Sequence, residues 1–331
     1  MHTILLTGGL GYIGSHIAIE LLNSNYEYNV IIIDNLSNSN IDKLEIIKNN
    51  IQNKEYLHFF EMDLLNYNDL NKLFNEYQIH IVIHLAGLKS VGESVLNPLN
   101  YYNNNLLTTI NLLNIMKKYE CKNIIFSSSA TVYGSLKAPY IENMEVGRGL
   151  TNPYGKSKYM QEEFLRDLYN SDNSWNIIIL RYFNPISQKN LELKEKPNGI
   201  PNNLFPYIVK VYNKELSLLQ VYGNDYNTID GTCIRDFIHV VDLAYGHVKA
   251  CFYIINNNNF SIKTYNLGTG NGISVKQLID KFEEVNNTKI NYKYSIRRDG
   301  DLDISYANST LAENELGWKT EYNINDMVKL L

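Results

Sequence analysis

The segment Thr7-Gly8-Gly9-Leu10-Gly11-Tyr12-Ile13-Gly14 limits what this chain can fold into more than any other stretch. It follows an apolar run, Thr3–Leu6, and leads into a stretch with helical spacing, Ile13–Asn23. Glycines at 8, 11 and 14 let the backbone turn tightly between a strand and a helix and come close to a ligand. The helix N-terminus then offers free N–H groups and the positive end of its dipole, which suits a dinucleotide pyrophosphate.

Short apolar runs alternate with helical stretches from there on. Thr3–Leu6, Val30–Ile33, Leu57–Phe60, Ile79–His84, Asn123–Ser127 and Ile177–Arg181 read as buried parallel strands. Ile13–Asn23, Asp69–Tyr77, Asn104–Tyr119 and Tyr154–Asn170 carry apolar residues at three- and four-residue spacing, as crossover helices do. The pattern predicts an α/β fold with a Rossmann-type doubly wound parallel sheet. Near Asn184-Pro185 it gives way to polar, Pro-containing stretches with isolated strands such as Ser217–Tyr222. A boundary there divides the chain into units 1–184 and 185–331, the second a smaller C-terminal α/β domain. Phe237–Asn256 reads as a helix that packs back on the first unit.

An acid at the end of the second strand sharpens the reading of the glycine turn. Asp34 stands twenty residues past Gly14. A carboxylate there can accept hydrogen bonds from ribose hydroxyls and repels a 2′-phosphate, which favours NAD over NADP. Asn35 beside it, and Asp63 with Leu64 after the third strand, belong to the same expected cofactor set. Asp63 can meet the adenine or cap the following helix. Leu85-Ala86-Gly87-Leu88-Lys89 follows the fourth strand. Its small residues let the backbone approach the cofactor, and Lys89 can reach a phosphate or a ribose.

A second constellation follows about 140 residues later, Tyr154-Gly155-Lys156-Ser157-Lys158, preceded by Ser127-Ser128-Ser129. Tyr154 and Lys158 are four apart at a helix start and so share a face. A free tyrosine titrates near about 10 and is a poor base at neutral pH. A nearby ammonium and a positive nicotinamide ring both favour the phenolate. Tyr154 is then a general base and acid, and Ser129 can hold the same substrate hydroxyl. Either constellation alone occurs by chance on ordinary folds. In this order they describe an enzyme that oxidises and reduces an alcohol carbon.

Composition excludes other classes. Apolar residues make up 44% of the 331 and the formal net charge is −5, so neither disorder nor a broad nucleic-acid-binding surface is expected. Cys121, Cys233 and Cys251 are too few and too scattered for a disulfide framework or a zinc site. The histidines, His239 and His247 among them, read as structural, and no metal is expected. No run is long and apolar enough to span a membrane and no signal peptide is seen, which makes the cytosol the expected compartment.

With these residues in place, the chain resembles the extended short-chain dehydrogenase/reductase family, most closely its 4-epimerases of UDP-glucose and UDP-galactose. The resemblance runs over nearly the whole chain, through TGGLGYIG (7–14), HLAGLKSVGES (84–94), YYNNN (101–105), FSSSATVYG (126–134), NPYGKSK (152–158), RYFNP (181–185), GIPNNL (199–204), YGNDYNTIDGTCIRDFIHVVDLAYGHV (222–248), YNLGTGNGISV (265–275) and RRDGDL (297–302). It implies that Tyr154, helped by Ser129 and Lys158, takes the proton of the sugar 4-hydroxyl. Hydride passes to NAD, the keto sugar turns over, and hydride returns to its other face. It brings Asn104, Ser127 and Tyr182 to the cofactor. It brings Lys89, Phe183, Asn184, Asn203, Arg235, Arg298 and Asp301 to the UDP-sugar, with the two arginines suited to the pyrophosphate. The backbone of Gln220, Val221 and Tyr222 can pair with uracil, and Ser305 falls at a pocket wall where a small residue leaves room for an N-acetyl group. A homodimer through a four-helix bundle is also implied, with Leu106, Leu107, Ile110, Met160 and Phe164 as extra apolar residues on its helices.

The chain departs from the family's usual pattern after RYFNP, where it continues Ile186-Ser187-Gln188-Lys189 and makes the loop to Pro201 unusual. Phe237 stands where a tyrosine is common and Asp303 where a proline is frequent. A 4,6-dehydratase needs an extra acid just after the central serine, and Ala130-Thr131-Val132 supplies none. Epimerases of UDP-glucuronate or UDP-xylose are nearer alternatives. A non-catalytic NAD-binding regulator, from another class, is expected to lack the Tyr/Lys pair.

Overall fold

The computed structural model describes residues 1–189, 193, 201, 203–257, 260–298 and 300–330. Most of the unusual loop, most of GIPNNL's first half and Asp299 of RRDGDL therefore lie outside the described residues.

Isoleucine, valine and leucine fill both faces of the first strand runs, as strands covered on both sides require. In chain order the first half runs β1 (His2–Thr7), α1 (Tyr12–Leu22), β2 (Tyr28–Asp34), α2 (Asp42–Asn49), β3 (Leu57–Glu61), α3 (Tyr67–Glu76), β4 (Ile81–His84), α4 (Val91–Leu96), α5 (Pro98–Lys118), β5 (Asn123–Ser129), α6 (Pro153–Ser171) and β6 (Asn176–Tyr182). Then come β7 (Asn184–Ile186), α7 (Leu204–Tyr212), β8 (Leu219–Tyr222), β9 (Ile234–His239), α8 (Val240–Asn256), β10 (Lys263–Leu267), β11 (Gly272–Ser274), α9 (Val275–Val285), β12 (Tyr292–Ser295), β13 (Ile304–Ser305), α10 (Thr310–Leu316) and α11 (Ile324–Val328).

The central sheet has seven strands in the order β10-β6-β5-β4-β1-β2-β3, all parallel. The order reverses between β1 and β4, which is where open α/β sheets leave a crevice at the strands' carboxyl ends. One face of the sheet joins Ile4, Leu6, Ile178 and Leu180 to Leu243, Ala244 and Val248 of α8 in a single apolar cluster. The other joins Leu5, Val82, Phe126 and Ile179 to Leu112, Met116 and Leu165 of α5 and α6. A third cluster binds α7, α9 and α11 to β8 and β9.

Two features differ from the periodicity. Phe237–His239 close the strand β9, and the helix expected from residue 237 begins at Val240, capped by His239 Nδ1 accepting from the Val241 N–H at 3.1 Å. The chain also re-enters the large sheet late, through β10 beside β6. The strand read at Ser217–Tyr222 is β8, paired with β12 in a two-stranded sheet. Its other edge carries no strand among the described residues.

Candidate active site

The glycine turn closes on the crevice. Gly8 has φ +68°, and a Cβ there would stand 3.0 Å from the Ala86 backbone. A Cβ on Gly14 would stand 2.5 Å from the Gly8 carbonyl oxygen and 2.7 Å from Gly9 Cα. Turn, first helical turn and the Leu85–Gly87 shelf are thus packed backbone on backbone. Thr7 fixes the shelf from below: its Oγ1 accepts from the Leu85 and Ala86 N–H groups at 3.2 Å each and donates to His84 Nδ1 at 2.9 Å. His84 Nε2 then donates to Thr109 Oγ1 at 2.9 Å. Burial pushes the His84 pKa down to about 3, with the Lys158 charge adding to it, so the ring is neutral and this polarity is fixed.

Asp34 is buried at the end of β2 beside the turn. Its carboxylate accepts from the Leu10 N–H at 3.0 Å, the Leu36 N–H at 2.9 Å and the Ser39 hydroxyl at 2.8 Å. Asn35 Nδ2 donates to Asp63 Oδ2 at 2.9 Å, which brings those two expected residues together. Asp63 does not cap α3; Asn66 does, while Asp63 turns back on the Leu65 N–H at 2.8 Å. Lys89 Nζ lies 5.8 Å from the centre of the Tyr12 ring, and Tyr12 donates to the Ser187 carbonyl at 2.5 Å.

Sequence reading singled out Asn104 on α5, yet its buried neighbour Asn105 holds the shelf. Asn105 Oδ1 accepts from the Leu88 N–H at 2.8 Å, and its Nδ2 donates to the Leu88 carbonyl at 3.0 Å and to Ser157 at 3.1 Å. Gln161 adds a bond to the Asn105 carbonyl at 2.9 Å. The run of three asparagines, 103–105, hid which of them faces inward; the apolar helical stripe through Tyr101, Leu112 and Met116 was the available signal.

At the carboxyl ends of β5 and β6, Ser129 pairs with Tyr182 across the ladder, so the two share a face with Ser127. Ser128 points the other way and donates to Glu162 Oε1 at 2.6 Å. Glu162 is itself clasped by the buried Arg181 at 3.0 and 2.8 Å, a bidentate pair that ties α6 to β6. Lys158 Nζ donates to the Ser127 carbonyl at 2.7 Å and reaches Ser127 Oγ at 3.3 Å. Burial pushes the Lys158 pKa down to about 7, against the pull of Glu162. Burial pushes Tyr154 up, opposed by a hydrogen bond to Ser129. Tyr182 is raised well above the usual tyrosine range by burial and by the neighbouring Tyr154, while Ser127 works the other way. Its hydroxyl is hydrogen-bonded to His247 Nε2.

The second half gathers another cluster. Asp301 takes Arg235 Nη2 at 3.5 Å and Arg298 Nε at 3.1 Å, and the Arg298 guanidinium lies 4.9 Å from the centre of the Tyr222 ring. Ser305 sits beside Arg235 in the β13–β9 register. Asn184 pairs with Phe237 on the same strand as Arg235, and the Phe183 N–H donates to the Leu267 carbonyl at 3.2 Å. Arg235, Arg298, Asp301, Tyr222 and Ser305 are therefore grouped, with Asn184 joined to them through β9 and Phe183 bonded to β10.

A family model described as GDP-mannose 4,6 dehydratase matches residues 5–331. A UDP-glucose 4-epimerase of Bacillus subtilis is 48% identical over 98% of this chain and 94% of its own length. One from Haemophilus influenzae is 50% identical over 98% of this chain and 95% of its own. The crystal structure of UDP-glucose 4-epimerase from Bifidobacterium longum in complex with NAD+ and UDP superposes with a TM-score of 0.92 at 47% identity, covering 98% of this chain and 96% of that one.

Proposed function

We propose that this chain, which belongs to the UDP-glucose 4-epimerase branch of the GDP-mannose 4,6 dehydratase family, within the extended short-chain dehydrogenases/reductases, interconverts UDP-glucose and UDP-galactose. It is an NAD-dependent isomerase. The observation that carries the reading is the buried Lys158 ammonium, set on one face of α6 with Tyr154 and bonded to the strand that ends in Ser129.

The crevice fits the cofactor. A side chain on Gly8 has no room against Ala86, and Asp34 is held at the strand end where a ribose belongs. Gly8, Gly11, Tyr12, Ile13 and Gly14 would hold the pyrophosphate, and Asp34 and Asn35 the ribose. Asp63 and Leu64 would meet the adenine, with Leu85, Ala86, Gly87, Lys89, Asn104 and Tyr182 along the rest of the molecule. When bound, NAD supplies the two-electron oxidant for the alcohol carbon and gives the electrons back to the same carbon, so no net oxidation results.

The chain's own residues move the proton. Tyr154 accepts it from the sugar 4-hydroxyl and later returns it, and Ser129 holds that oxygen in place. The Lys158 ammonium, two bonds deep in β5, favours the phenolate by charge at short range in a buried site. Arg235 and Arg298 hold the diphosphate, Asp301 orients both, and Phe183, Asn184 and Asn203 line the sugar and nucleotide. The edge of β8 at Gln220–Tyr222 that carries no strand among the described residues would pair with uracil. Elimination is disfavoured, because Thr131 uses its hydroxyl on Ser129 at 3.0 Å and no acid stands at positions 130–132. The test is direct: incubate the protein with UDP-galactose and follow UDP-glucose. No conversion, or bound NADP in place of NAD after acid extraction, contradicts the reading.

The same reading divides the chain at 184/185 into a cofactor unit and a sugar-nucleotide unit, with 237–256 on the first; the packing of α8 against α1 and the sheet supports that for 240–256, while Phe237 packs with α7 and α9. It includes a homodimer through α5 and α6, supported by the exposed Leu107, Ile110 and Met160. Light scattering that finds only a particle of about 38 kDa at micromolar concentration contradicts it. No helix among the described residues is long and apolar enough to cross a membrane, in keeping with action in the cytoplasm.

A second reading, activity on the N-acetylated pair as well, rests on Ser305. It is a small residue beside Arg235 and near the Tyr140 hydroxyl.

A further inference from the structure

We propose, on the reading of Gln220–Tyr222 and Arg298 given above, that Arg297 is a positioning residue for the nucleotide end of the substrate site, clamping the loop 223–232 to the segment that carries Arg298. Arg297 precedes Arg298 in RRDGDL and has no part in that reading.

The two arginines part just after β12. Arg298 Nε donates to Asp301 at 3.1 Å, and its guanidinium carbon lies 4.9 Å from the centre of the Tyr222 ring. Arg297 goes to the loop that follows β8. Its Nε donates to Asp225 Oδ1 at 2.7 Å and its Nη2 donates to the Asp225 main-chain carbonyl. Its guanidinium carbon lies 4.1 Å from the centre of the Tyr226 ring. Nη1 stands 3.8 Å from Asp303 Oδ1, a carboxylate where the family frequently has proline.

These contacts bear on the backbone of Gly223. Gly223 has φ +81°, and its N–H donates to the Ser295 carbonyl at 2.8 Å. A Cβ there would overlap the Tyr226 ring and stand 3.0 Å from Arg297 Cγ. Ring and arginine stem are thus packed on the residue directly after the Gln220–Tyr222 edge. The Tyr226 ring is buried, and its hydroxyl finds no hydrogen-bond partner among the described residues, so the ring serves through its face. The Tyr226 main chain closes the loop: its N–H donates to the Gly231 carbonyl at 2.9 Å, and its carbonyl accepts from the Thr228 N–H at 2.8 Å. Beyond RRDGDL, the Asp303 carbonyl accepts from the Ile234 N–H at 2.8 Å, one residue before Arg235. Arg297 therefore joins a frame that carries Tyr222 on one side and Arg235 and Arg298 on the other.

An exposed ion pair alone holds little. Arg297 and Asp225 are both partly open to water, so the contact with the Tyr226 ring and the bond to a main-chain carbonyl do most of the holding. A lysine supplies the charge but neither the fork nor a planar face. Without the clamp the loop is freer, and the nucleotide must order it again on binding. That cost falls equally on substrate and transition state, because the reacting C4 lies at the other end of the UDP-sugar. KM rises and kcat stays.

Two measurements test this. In turnover of UDP-galactose by the NAD-loaded enzyme, Arg297→Leu is expected to raise KM about fivefold, with kcat changed less than about twofold. UDP affinity, read by calorimetry, should weaken by the same factor. Arg297→Lys should raise KM nearly as far, and it carries the test alone should Arg297→Leu fail to fold. A parental KM in the lysine variant would mean that Arg297 acts on the anionic substrate by charge, which overturns the clamp. Tyr226→Phe keeps the ring's face and should keep the parental KM; a rise as large as that of Arg297→Leu counts against the face. Unchanged KM and UDP affinity in Arg297→Leu, or a kcat that falls as far as KM rises, sinks the proposal and leaves the reading of the site intact. A parental protein that binds no UDP sinks both. The second measurement uses no sugar nucleotide. In hydrogen exchange of the NAD-loaded protein, the Tyr226 and Thr228 amides are expected to exchange at least about fivefold faster in Arg297→Leu. Unchanged exchange there overturns the proposal whether or not UDP-galactose is converted.

Discussion

Lys158 donates to the main-chain carbonyl of Ser127 at 2.7 Å, and its ammonium sits 4.9 Å from the centre of the Phe126 ring. A cation in that place has left water and has been given one carbonyl, one hydroxyl and an aromatic face in return. Desolvation still wins, which is why the pKa falls to about 7. The charge is therefore poised; it presses on the neighbouring His84, and Tyr154 stands one turn away on the same helix.

Tyr154→Phe removes the hydroxyl proposed as the base and leaves the ring. Positioned acid–base help is typically worth about 10²–10⁴-fold, so kcat is expected to fall by at least that order. NAD should remain bound, since the glycine turn and Asp34 are untouched. Near-normal turnover would assign the proton to another residue.

Gly14→Ala tests the turn rather than the chemistry. The new Cβ would stand 2.5 Å from the Gly8 carbonyl oxygen and 2.7 Å from Gly9 Cα, and both are backbone. Neither can rotate away, so the turn must open. Purified protein is expected to carry little NAD and to melt lower; full NAD content after acid extraction would show that the turn has slack that the packing does not suggest.

These two cases mark what was legible in the sequence. Gly8, Gly14, Asp34, Tyr154 and Lys158 announce themselves because each is fixed by a local rule: a turn with no room, an acid at a strand end, a helical i, i+4 pair. The parallel sheet was legible for the same reason, since its strands are short apolar runs between amphipathic stretches. Asn105, His247 and β10 were not. Their roles come from partners many residues away, such as Leu88 for Asn105 and Tyr182 for His247. Periodicity says which face of a helix is buried, and is silent about what waits there. The strand ending at His239 was masked because it runs without a loop into α8, and both share apolar composition.

Acid should loosen the fold through its histidines. Burial holds His16 and His84 down to about 3 and His239 and His247 down to about 4. In the unfolded chain each titrates near about 6.5. Folded values below unfolded ones mean that this contribution is fully present above that pH and is lost as pH falls from there toward the folded values. The melting temperature is expected to change little from these groups between pH 7 and 8 and to drop between 6.5 and 4.5. His84→Gln should flatten that drop, and thermal melts across the range read both. A melting temperature that holds steady down to pH 4.5 would show that the rings protonate in place.

Ser305→Tyr addresses which sugars fit. Ser305 lies in β13 next to Arg235 on β9, within the cluster that gathers Arg298, Asp301 and Tyr222. A serine there takes little space, whereas a tyrosine would project a ring from the same strand position. If that position borders the sugar, the wild type should interconvert UDP-N-acetylglucosamine and UDP-N-acetylgalactosamine as well as the smaller pair. The tyrosine variant should lose most of the first activity by steric exclusion while keeping most of the second. The two steric cases differ in kind: one clash affects only the group at C2, and a general distortion of β13 would move Arg235 and weaken both substrates alike. Assays of both proteins on both sugar pairs separate them. Equal losses on the two pairs, or a wild type inactive on the N-acetylated pair, would remove Ser305 as the residue that sets the size of the pocket.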